Sequence, residues 1–595
     1  MRLSRVQIKN FRNFKSLDIP LSGNTVIVGE NRVGKSNFLF ALRLVLDASL
    51  PDSARQLKQT DIWDECTDPN PTVEIHLDFS DFDSDEAILA LLTDYRLAED
   101  HTISRLSYVY RKKPEVSGEA QSETDYEFKV YGAGDESRGG ISNSVRNKIC
   151  IEILHALRDA ETELGNWQTS PLRPLLDDAI SKVPKETIIE VAKNVEDATA
   201  QVTNITSIKD LESSLTSKIS TLTGPMNDVN AKFGIAPTNP QRLFRSVRML
   251  IDNGKRGISD ASLGSANLVL LTLKLAEYEW LRTKNDQNFT IMCIEEPEAH
   301  LHPHLQRTVF KKLFESSKDE PLCLLMTTHS PNIASVAQLN SIVVLKQENG
   351  LGTVGHSLAS LALQPELMED LQRYLDTTRA EILFAKGVIF VEGDAEEALM
   401  PVFSKTLNIN LDDLGISVCN VGGVNFDPYV RLARSLSLPF CIITDWDPLT
   451  GKQPLGINRL LSLIQLNNEL KNEEQMSETE KQELSNDEEK LKSLGMENGI
   501  FCNNSTLEIE VAETPELGTA LLEVIQAQNF GSVRQQRIES WKNGESPING
   551  EQLLSMISDI GKGRLAGKLS EASIGLNPPE YIKVALEYIS NNVQS

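Results

Sequence analysis

Apolar residues fall along this chain in short runs bounded by glycine and charged residues, the pattern of buried strands feeding into loops. Val6–Ile8 and Thr25–Val28 read as strands on either side of a short turn, and Asn37–Leu46 continues as an apolar helix. Thr72–Phe79 (TVEIHLDF) and Leu106–Tyr110 alternate polar and apolar residues like antiparallel strands. From about Asn143 to Pro225 strand signals are few, helix formers dominate, and Ile180, Val183, Ile188, Val191 and Val195 recur at heptad-like spacing. This stretch reads as a helical insertion, either a dimerisation arm or a subdomain packed on its own core. Beyond it, Leu268–Trp280 predicts a long apolar helix, and Phe289–Ile294 and Leu322–Thr327 predict buried strands. Ser341–Leu345 reads as a last strand before a connector near Ser357–Leu371. A fresh α/β unit opens at Val388 and alternates strands and helices to the end, broken by the polar run Asn467–Lys492, a solvated helical excursion. The chain carries no internal repeat.

Composition narrows the class. At 595 residues there is room for two to four domains, and 40% apolar with 24% charged residues is ordinary for a globular protein. No apolar stretch approaches the roughly 20 residues that span a bilayer. The opening MRLSRVQIKNF alternates like a strand and lacks the apolar centre of a signal peptide. Seven cysteines are scattered without a CxxC pair, which favours reduced core thiols over disulfides or zinc. The expectation is a soluble cytoplasmic protein without a membrane partner. A net charge of −26 argues against a broad nucleic-acid-binding face. Part of that charge is local: Glu469–Lys492 holds nine acidic residues against four lysines. Carboxylates in a metal site are also neutralised by their ions, so any DNA path is local and its binding weak and salt-sensitive. Arg242, Arg245 and Arg248, spaced along one predicted helix with Lys255 and Arg256 just beyond, offer either a phosphate-contacting face or a solvated one.

Gly29–Ser36 reads GENRVGKS and fits G-x-x-x-x-G-K-[ST], with a strand before it and a helix after. Gly29, Asn31 and Gly34 belong to a loop whose N–H groups curl around phosphates; Lys35 reaches the β/γ-phosphates and Ser36 ligates Mg²⁺. The strand in TIMCIEEPE ends at Glu295 and Glu296, the first placed to hold Mg²⁺ through water and the second to orient the attacking water. His329, at the end of the next apolar strand, is a γ-phosphate contact. His300, His302 and His304 invite a zinc reading, but their spacing suits no single helix face, and HLHP reads as a tight turn.

A second constellation follows. In GVIFVEGDAEEALMP a buried strand, Val388–Val391, delivers Glu392 to a loop, and Gly393 permits a tight turn into a helix carrying Glu396. In FCIITDWD another strand delivers Asp445 and Asp447, alternating onto one face. Such carboxylates repel one another unless cations sit among them, the logic of an oxygen-ligand site for Mg²⁺ or Mn²⁺. Two ions about 4 Å apart would stabilise the attacking and leaving oxygens of a phosphodiester.

GENRVGKS, SLGSAN, CIEEPEAHLHP and TTHS resemble the Walker A, signature, Walker B/D-loop and H-loop of an ABC-type ATPase of the RecF- and SMC-like branch, over roughly Met1–Lys346. The resemblance implies ATP between two heads, with Ser262 and Gly264 of one signature segment facing the other head's phosphate loop. Glu295 stands where the branch has aspartate and SLGSAN lacks a second glycine, so slow, switch-like ATP use is expected. Gln56 and Gln59 are the candidates for the Q-loop glutamine. Glu392, Gly393, Asp445 and Asp447 resemble the toprim pattern, and its fusion to such a head resembles the OLD (overcoming lysogenization defect) nucleases, which include Gabija and retron-associated members. That resemblance implies an acidic element, STLEIE, with Glu508 as a further metal ligand and Glu510, read on the same strand face, as its rival. It also implies a basic element, GKGRLAGKL, with Lys562 catalytic; Arg564 beside it is read separately as a candidate contact to the DNA backbone.

The expected fold is α/β: an ABC-type ATPase head (1–142 and 236–356) with a helical insertion (143–235), a connector (357–385) and a toprim nuclease domain (386–595) with its charged excursion near 467–492. The expected activity is ATP-regulated, metal-dependent DNA endonuclease action by a homodimer or tetramer, in antiphage defence or DNA processing, alone or beside a helicase or retron. The competing expectation is an ATP-dependent DNA sensor or clamp needing a partner for cutting. A topoisomerase is disfavoured because Tyr429, the tyrosine nearest the acids in sequence, lies in no recognisable motif.

Overall fold

The computed structural model describes residues 1–594 except 137–138, 156–169, 224–231, 234–246, 248, 259–260, 285–286, 318–320, 362–363, 376–378 and 450. An eleven-stranded mixed sheet dominates the N-terminal part. Its order is Tyr126–Gly132, Ser104–Lys112, Val73–Ser80, Arg2–Phe11, Phe14–Pro20, Gly352–Ser357, Ile342–Glu348, Thr25–Gly29, Leu322–Thr328, Phe289–Glu295 and Ile149–Leu154. From the first of these through Ile342–Glu348 every pairing is antiparallel; from there to Ile149–Leu154 all are parallel. Every residue of Thr25–Gly29 and of Leu322–Thr328 is buried, which is why these strands read as unbroken apolar runs. The parallel register aligns their ends: Thr328 pairs with Val28, Glu295 with Thr327, and Leu154 with Ile294. The phosphate loop, Glu295 and His329 therefore emerge along one carboxyl edge, where open α/β sheets bind ligands.

Two departures from the sequence reading appear here. Between Val6–Ile8 and the phosphate-loop strand lies a further strand, Phe14–Pro20, rather than a bare turn; it pairs antiparallel with Arg2–Phe11. Ile149–Leu154 (ICIEIL), inside the stretch read as helical, is an edge strand parallel to Phe289–Glu295. The helices Lys185–Thr203 and Thr206–Thr223 follow, with Ile189, Leu211 and Leu222 exposed. Arg242, Arg245 and Arg248 lie outside the described residues.

The second sheet is parallel throughout, in the order Ile416–Asn420, Gly387–Val391, Phe440–Thr444 and Ile500–Cys502. Strand–helix alternation stops there. From Leu507 the described chain is helical, in six segments ending with Glu580–Gln594. The excursion near 467–492 is helical as well: Leu455–Lys471 runs into it and Glu478–Ser485 and Glu488–Glu497 follow. The two sheets share one core, in which Val26, Met326 and Val344 join Leu383, Phe390 and Tyr429 in a continuous cluster. Polar ties cross the same junction. Lys346 Nζ donates to the Leu436 carbonyl at 2.8 Å, and Lys386 lies 3.6 Å from Glu30 of the phosphate loop. No described helix is long and apolar enough to cross a membrane.

Candidate active site

The phosphate loop is shaped by Gly34, which caps the helix Lys35–Leu46 at φ 91°. A Cβ there would fall 2.0 Å from Asn13 Nδ2, so only glycine fits. Asn13 earns that proximity by holding the loop: its Nδ2 donates to the Val33 carbonyl at 2.8 Å, and its Oδ1 accepts from Asn37 at 2.7 Å. Lys35 curls back into the loop, donating to the Gly29 and Glu30 carbonyls at 3.0 and 2.9 Å, with His329 Nε2 at 2.8 Å. Burial pushes Lys35 down to about 8, although Glu296 and Glu298 pull it upward. Phosphate oxygens in the same place would raise it again. Asn31 and Ser36 stand exposed at the rim.

Glu295 closes its strand with Oε2 2.8 Å from His155 Nδ1, and Glu296 sits at φ 41° with its carboxylate 3.7 Å from His329. Glu298 escaped the sequence reading. Its Oε1 accepts the His329 backbone N–H at 2.7 Å and its Oε2 the Thr328 hydroxyl at 2.8 Å, so it fixes the loop that carries His329. Burial raises its pKa. Ser262 caps the helix Leu263–Thr283, and Gly264 lies so close to the His300 carbonyl that a Cβ would stand 2.6 Å from it. The signature segment thus leans on the turn after the two acids. In that turn His302 and His304 stack with ring centroids 5.5 Å apart, and His304 Nδ1 meets Arg307 rather than a shared metal position. Gln56 directs its amide to the Glu123 and Tyr126 carbonyls, and Gln59 lines a cleft of about 620 Å³ with Trp63 and Tyr126.

In the second sheet Val391 pairs with Ile443, and Thr444 with Cys502, so Glu392, Asp445 and Asn503 leave their strands side by side. Glu392 Oε1 accepts from the Thr444 hydroxyl and from Asp445 N–H at 3.0 Å. Asp445 Oδ1 accepts from Asn503 Nδ2 and from Leu507 N–H at 3.0 Å. Burial, then Glu392, pushes Asp445 up to about 8 against the hydrogen bond from Asn503. Glu396, one turn into the helix Asp394–Thr406, is buried and raised to about 7, mainly by that burial. Asp447 turns off at φ 51°, separated from Asp445 by the buried Trp446.

STLEIE corrects the sequence reading. It opens the helix Leu507–Glu513 instead of forming a strand, because Thr514–Pro515 closes it after about two turns and Leu507 and Val511 bury one helical face. Residues two apart on a helix diverge. Glu508 faces the acids and is 8% exposed, whereas Glu510 turns back to accept the Asn504 N–H at 2.6 Å. Lys562 starts the helix Lys562–Ala572, and its Nζ lies 2.8 Å from Glu508 Oε1. Burial lowers its pKa, but Glu508 and the neighbouring acids outweigh that and the net shift is upward. Arg564, two residues on, is exposed. Tyr429 is buried in its helix, 5.9 Å from the Phe390 ring.

Arg459 also escaped the sequence reading. From the helix Leu455–Lys471 its guanidinium reaches Glu392 Oε1 and Asp447 Oδ2, each at 2.8 Å. Among the described residues no three His, Cys, Asp or Glu side chains form a ready coordination sphere. Here the reason is visible, since Arg459 and Lys562 hold three of the acids. The residues nonetheless fit a hard divalent cation. All the donors are carboxylate oxygens, burial and then the neighbouring acids raise the pKa of both Glu396 and Asp445, and buried Glu508 Oε2 has no hydrogen-bond partner among the described residues.

A phosphate-loop sheet packed on a carboxylate-bearing parallel sheet defines an ATPase head fused to a toprim domain. Residues 1–334 match the family described as AAA ATPase domain, and residues 383–447 match the overcoming lysogenization defect protein-like TOPRIM domain. The chain belongs to the OLD family of nucleases. It is 24% identical over 479 residues to Endonuclease GajA of Bacillus cereus (strain VD045), covering 78% of this chain and 79% of that one. It is also 24% identical over 463 residues to the OLD nuclease of Thermus scotoductus (strain ATCC 700910 / SA-01), covering 75% and 82%. The solved C-terminal region of the Burkholderia pseudomallei OLD protein is 41% identical and is covered over 99% of its length and 35% of this chain, with a TM-score of 0.32.

Proposed function

We propose that this chain is a divalent-metal-dependent DNA endonuclease, nicking or cutting both strands, whose action ATP governs from the head. The observation that carries the reading is the convergence of Glu392, Glu396, Asp445 and Glu508, with Lys562 on Glu508, at the carboxyl edge of the toprim sheet. Glu392, Glu396, Asp445, Asp447 and Glu508 would hold the metal. When bound, Mg²⁺ or Mn²⁺ supplies the Lewis acidity that activates water and stabilises charge on the phosphodiester. Lys562, mostly exposed at a helix start, is positioned to neutralise charge developing on the phosphoryl oxygens.

In the head, Gly29, Asn31, Gly34, Lys35 and Ser36 would bind ATP and its Mg²⁺, with Glu295, Glu296 and His329 around the γ-phosphate. Ser262 and Gly264 would face the nucleotide of a second copy, in a cytoplasmic homodimer or tetramer. The shared core and the Lys346–Leu436 and Lys386–Glu30 contacts give nucleotide binding a route to the nuclease. Defence against phage or DNA processing is the setting proposed, with a helicase or retron as partner in some systems. Metal-stripped protein incubated with supercoiled plasmid in EDTA, Mg²⁺ or Mn²⁺, with and without ATP, tests the reading. Nicked or linear product in the metal lanes alone is expected. Intact plasmid in every lane would move the assignment to a sensor that recruits its nuclease.

A further inference from the structure

Five carboxylates meet at the toprim site, and two cationic side chains already stand among them. Lys562 comes from the rim and is 64% exposed; Arg459 is built in, with a side chain only 10% exposed. Its Nη1 donates to Glu392 Oε1, to the Thr444 hydroxyl and to the Asp445 carbonyl, each at 2.8 Å, while Nη2 donates to Asp447 Oδ2 at the same distance. One guanidinium thereby spans the ends of two segments that bear ligands, Glu392 after one strand and Asp447 after the next. A planar fork can do this; a lysine, a point charge on a flexible stem, cannot.

The helix that carries Arg459 is tied to the same turn. Leu455 N–H donates to the Asp447 carbonyl at 3.2 Å and Gly456 N–H to the Trp446 carbonyl at 3.0 Å. A Cβ on Gly456 would stand 2.8 Å from that Trp446 oxygen, so the helix approaches as closely as backbone permits. The guanidinium is thus aimed by its scaffold at the acids. It already satisfies one oxygen each of Glu392 and Asp447, two of the acids that would hold a divalent cation.

Building on the metal-dependent reading above, we infer that Arg459 is the resident counter-cation of the site: it keeps Glu392 and Asp447 gathered in the metal-free protein, and an entering divalent cation takes those carboxylates from it. Arg459 is therefore a positioning residue that sets metal affinity. Two costs follow from its presence. A divalent ion that takes both acids from Arg459 breaks part-buried, charge-assisted hydrogen bonds, and it meets a like charge on arrival. In exchange the acids do not spread apart when metal is absent.

The test is Mn²⁺ binding to metal-stripped, full-length protein, read by electron paramagnetic resonance, together with thermal melts. Wild type is compared with Arg459→Gln, Arg459→Lys and Asp445→Asn. Arg459→Gln is expected to bind Mn²⁺ about tenfold more tightly than wild type, the competing charge being gone. It is also expected to melt lower than wild type without metal and to regain the wild-type melting temperature at saturating Mn²⁺. Arg459→Lys, which keeps the charge and loses the fork, is expected between the two and carries the test if the glutamine variant does not fold. Unchanged or weaker Mn²⁺ binding in both variants, or a melting deficit that persists at saturating Mn²⁺, would overturn the proposal and leave Arg459 a structural strut. The Asp445→Asn arm separates this from the wider reading: Mn²⁺ binding undiminished in that variant would put the metal elsewhere and sink both.

Discussion

Asp445→Asn is expected to lower DNA cleavage by at least about 1,000-fold while leaving the fold intact, measured as the rate of supercoiled plasmid loss at saturating Mg²⁺. The variant keeps the side-chain volume and leaves an amide oxygen to accept the Asn503 amide and the Leu507 N–H, so the turn retains its hydrogen bonds. What disappears is the central charge of the cluster. Residual cutting near wild-type rates would mean that the metal is held elsewhere. The same variant carries a stability signature. Burial and Glu392 raise Asp445 from its ordinary 3.8 to about 8, so in metal-free protein the folded state retains a proton that the unfolded chain releases near pH 4. The wild type's stability relative to Asp445→Asn is then highest below pH 4, falls as pH rises to about 8, and is flat beyond. Melts in EDTA across that range would show it, and divalent metal would relieve it by binding the ionised carboxylate.

Lys35→Ala is expected to weaken ATP binding by about 100-fold or more, measured by titration with a fluorescent nucleotide. Lys35 is buried, held by the loop's own carbonyls and by His329, and shifted down to about 8 by desolvation. It is a cation whose burial outweighs the pull of Glu296 and Glu298, so phosphate would add the charge it lacks nearby. The alanine variant loses that attraction and also the groups that close the empty loop. If ATP governs cutting, the variant's plasmid cleavage becomes indifferent to ATP while its metal-dependent rate in the absence of nucleotide persists. An ATP response undiminished in Lys35→Ala would remove the head from the regulation.

The parts of this architecture that were legible in the sequence are those set by a local rule. Buried parallel strands must be apolar throughout, so Thr25–Val28, Phe289–Ile294 and Val388–Val391 stood out, and the acids that end two of them were exposed by contrast with the runs before them. Gly34 was legible because a phosphate loop with φ 91° admits no side chain. What the sequence hid depends on partners far along the chain. Phe14–Pro20 is short and mixed in polarity, and it is a strand because Arg2–Phe11 and Gly352–Ser357 flank it. Ile149–Leu154 is an edge strand whose pairing partner lies about 140 positions on, in a stretch surrounded by helix formers.

Glu508 and Glu510 alternate in a segment rich in β-branched and apolar residues, which reads as a strand; the helix wins because Leu507 and Val511 find the core four residues apart. Arg459 gave one usable signal, the single charged residue in the first half of its helix, between Ile457 and Leu460. A buried arginine demands anionic partners, and the only open question was which. Glu298 in EEPEAH lies past the strand end that marks Glu295 and Glu296, and its role depends on Thr328 and His329, some 30 positions on.

Metal held by the toprim carboxylates is expected to touch the phosphate being cut. Sulfur in place of a non-bridging phosphate oxygen tests it most directly, because Mg²⁺ binds sulfur poorly and the softer Mn²⁺ accepts it. Duplex DNA synthesised with phosphorothioate linkages throughout one strand would be cleaved in Mg²⁺ and in Mn²⁺ beside an all-oxygen control. The substitution is expected to slow cutting of that strand about tenfold or more in Mg²⁺, and Mn²⁺ to restore most of the rate. Equal slowing in both metals, or none in either, would contradict direct contact between the metal and the scissile phosphate.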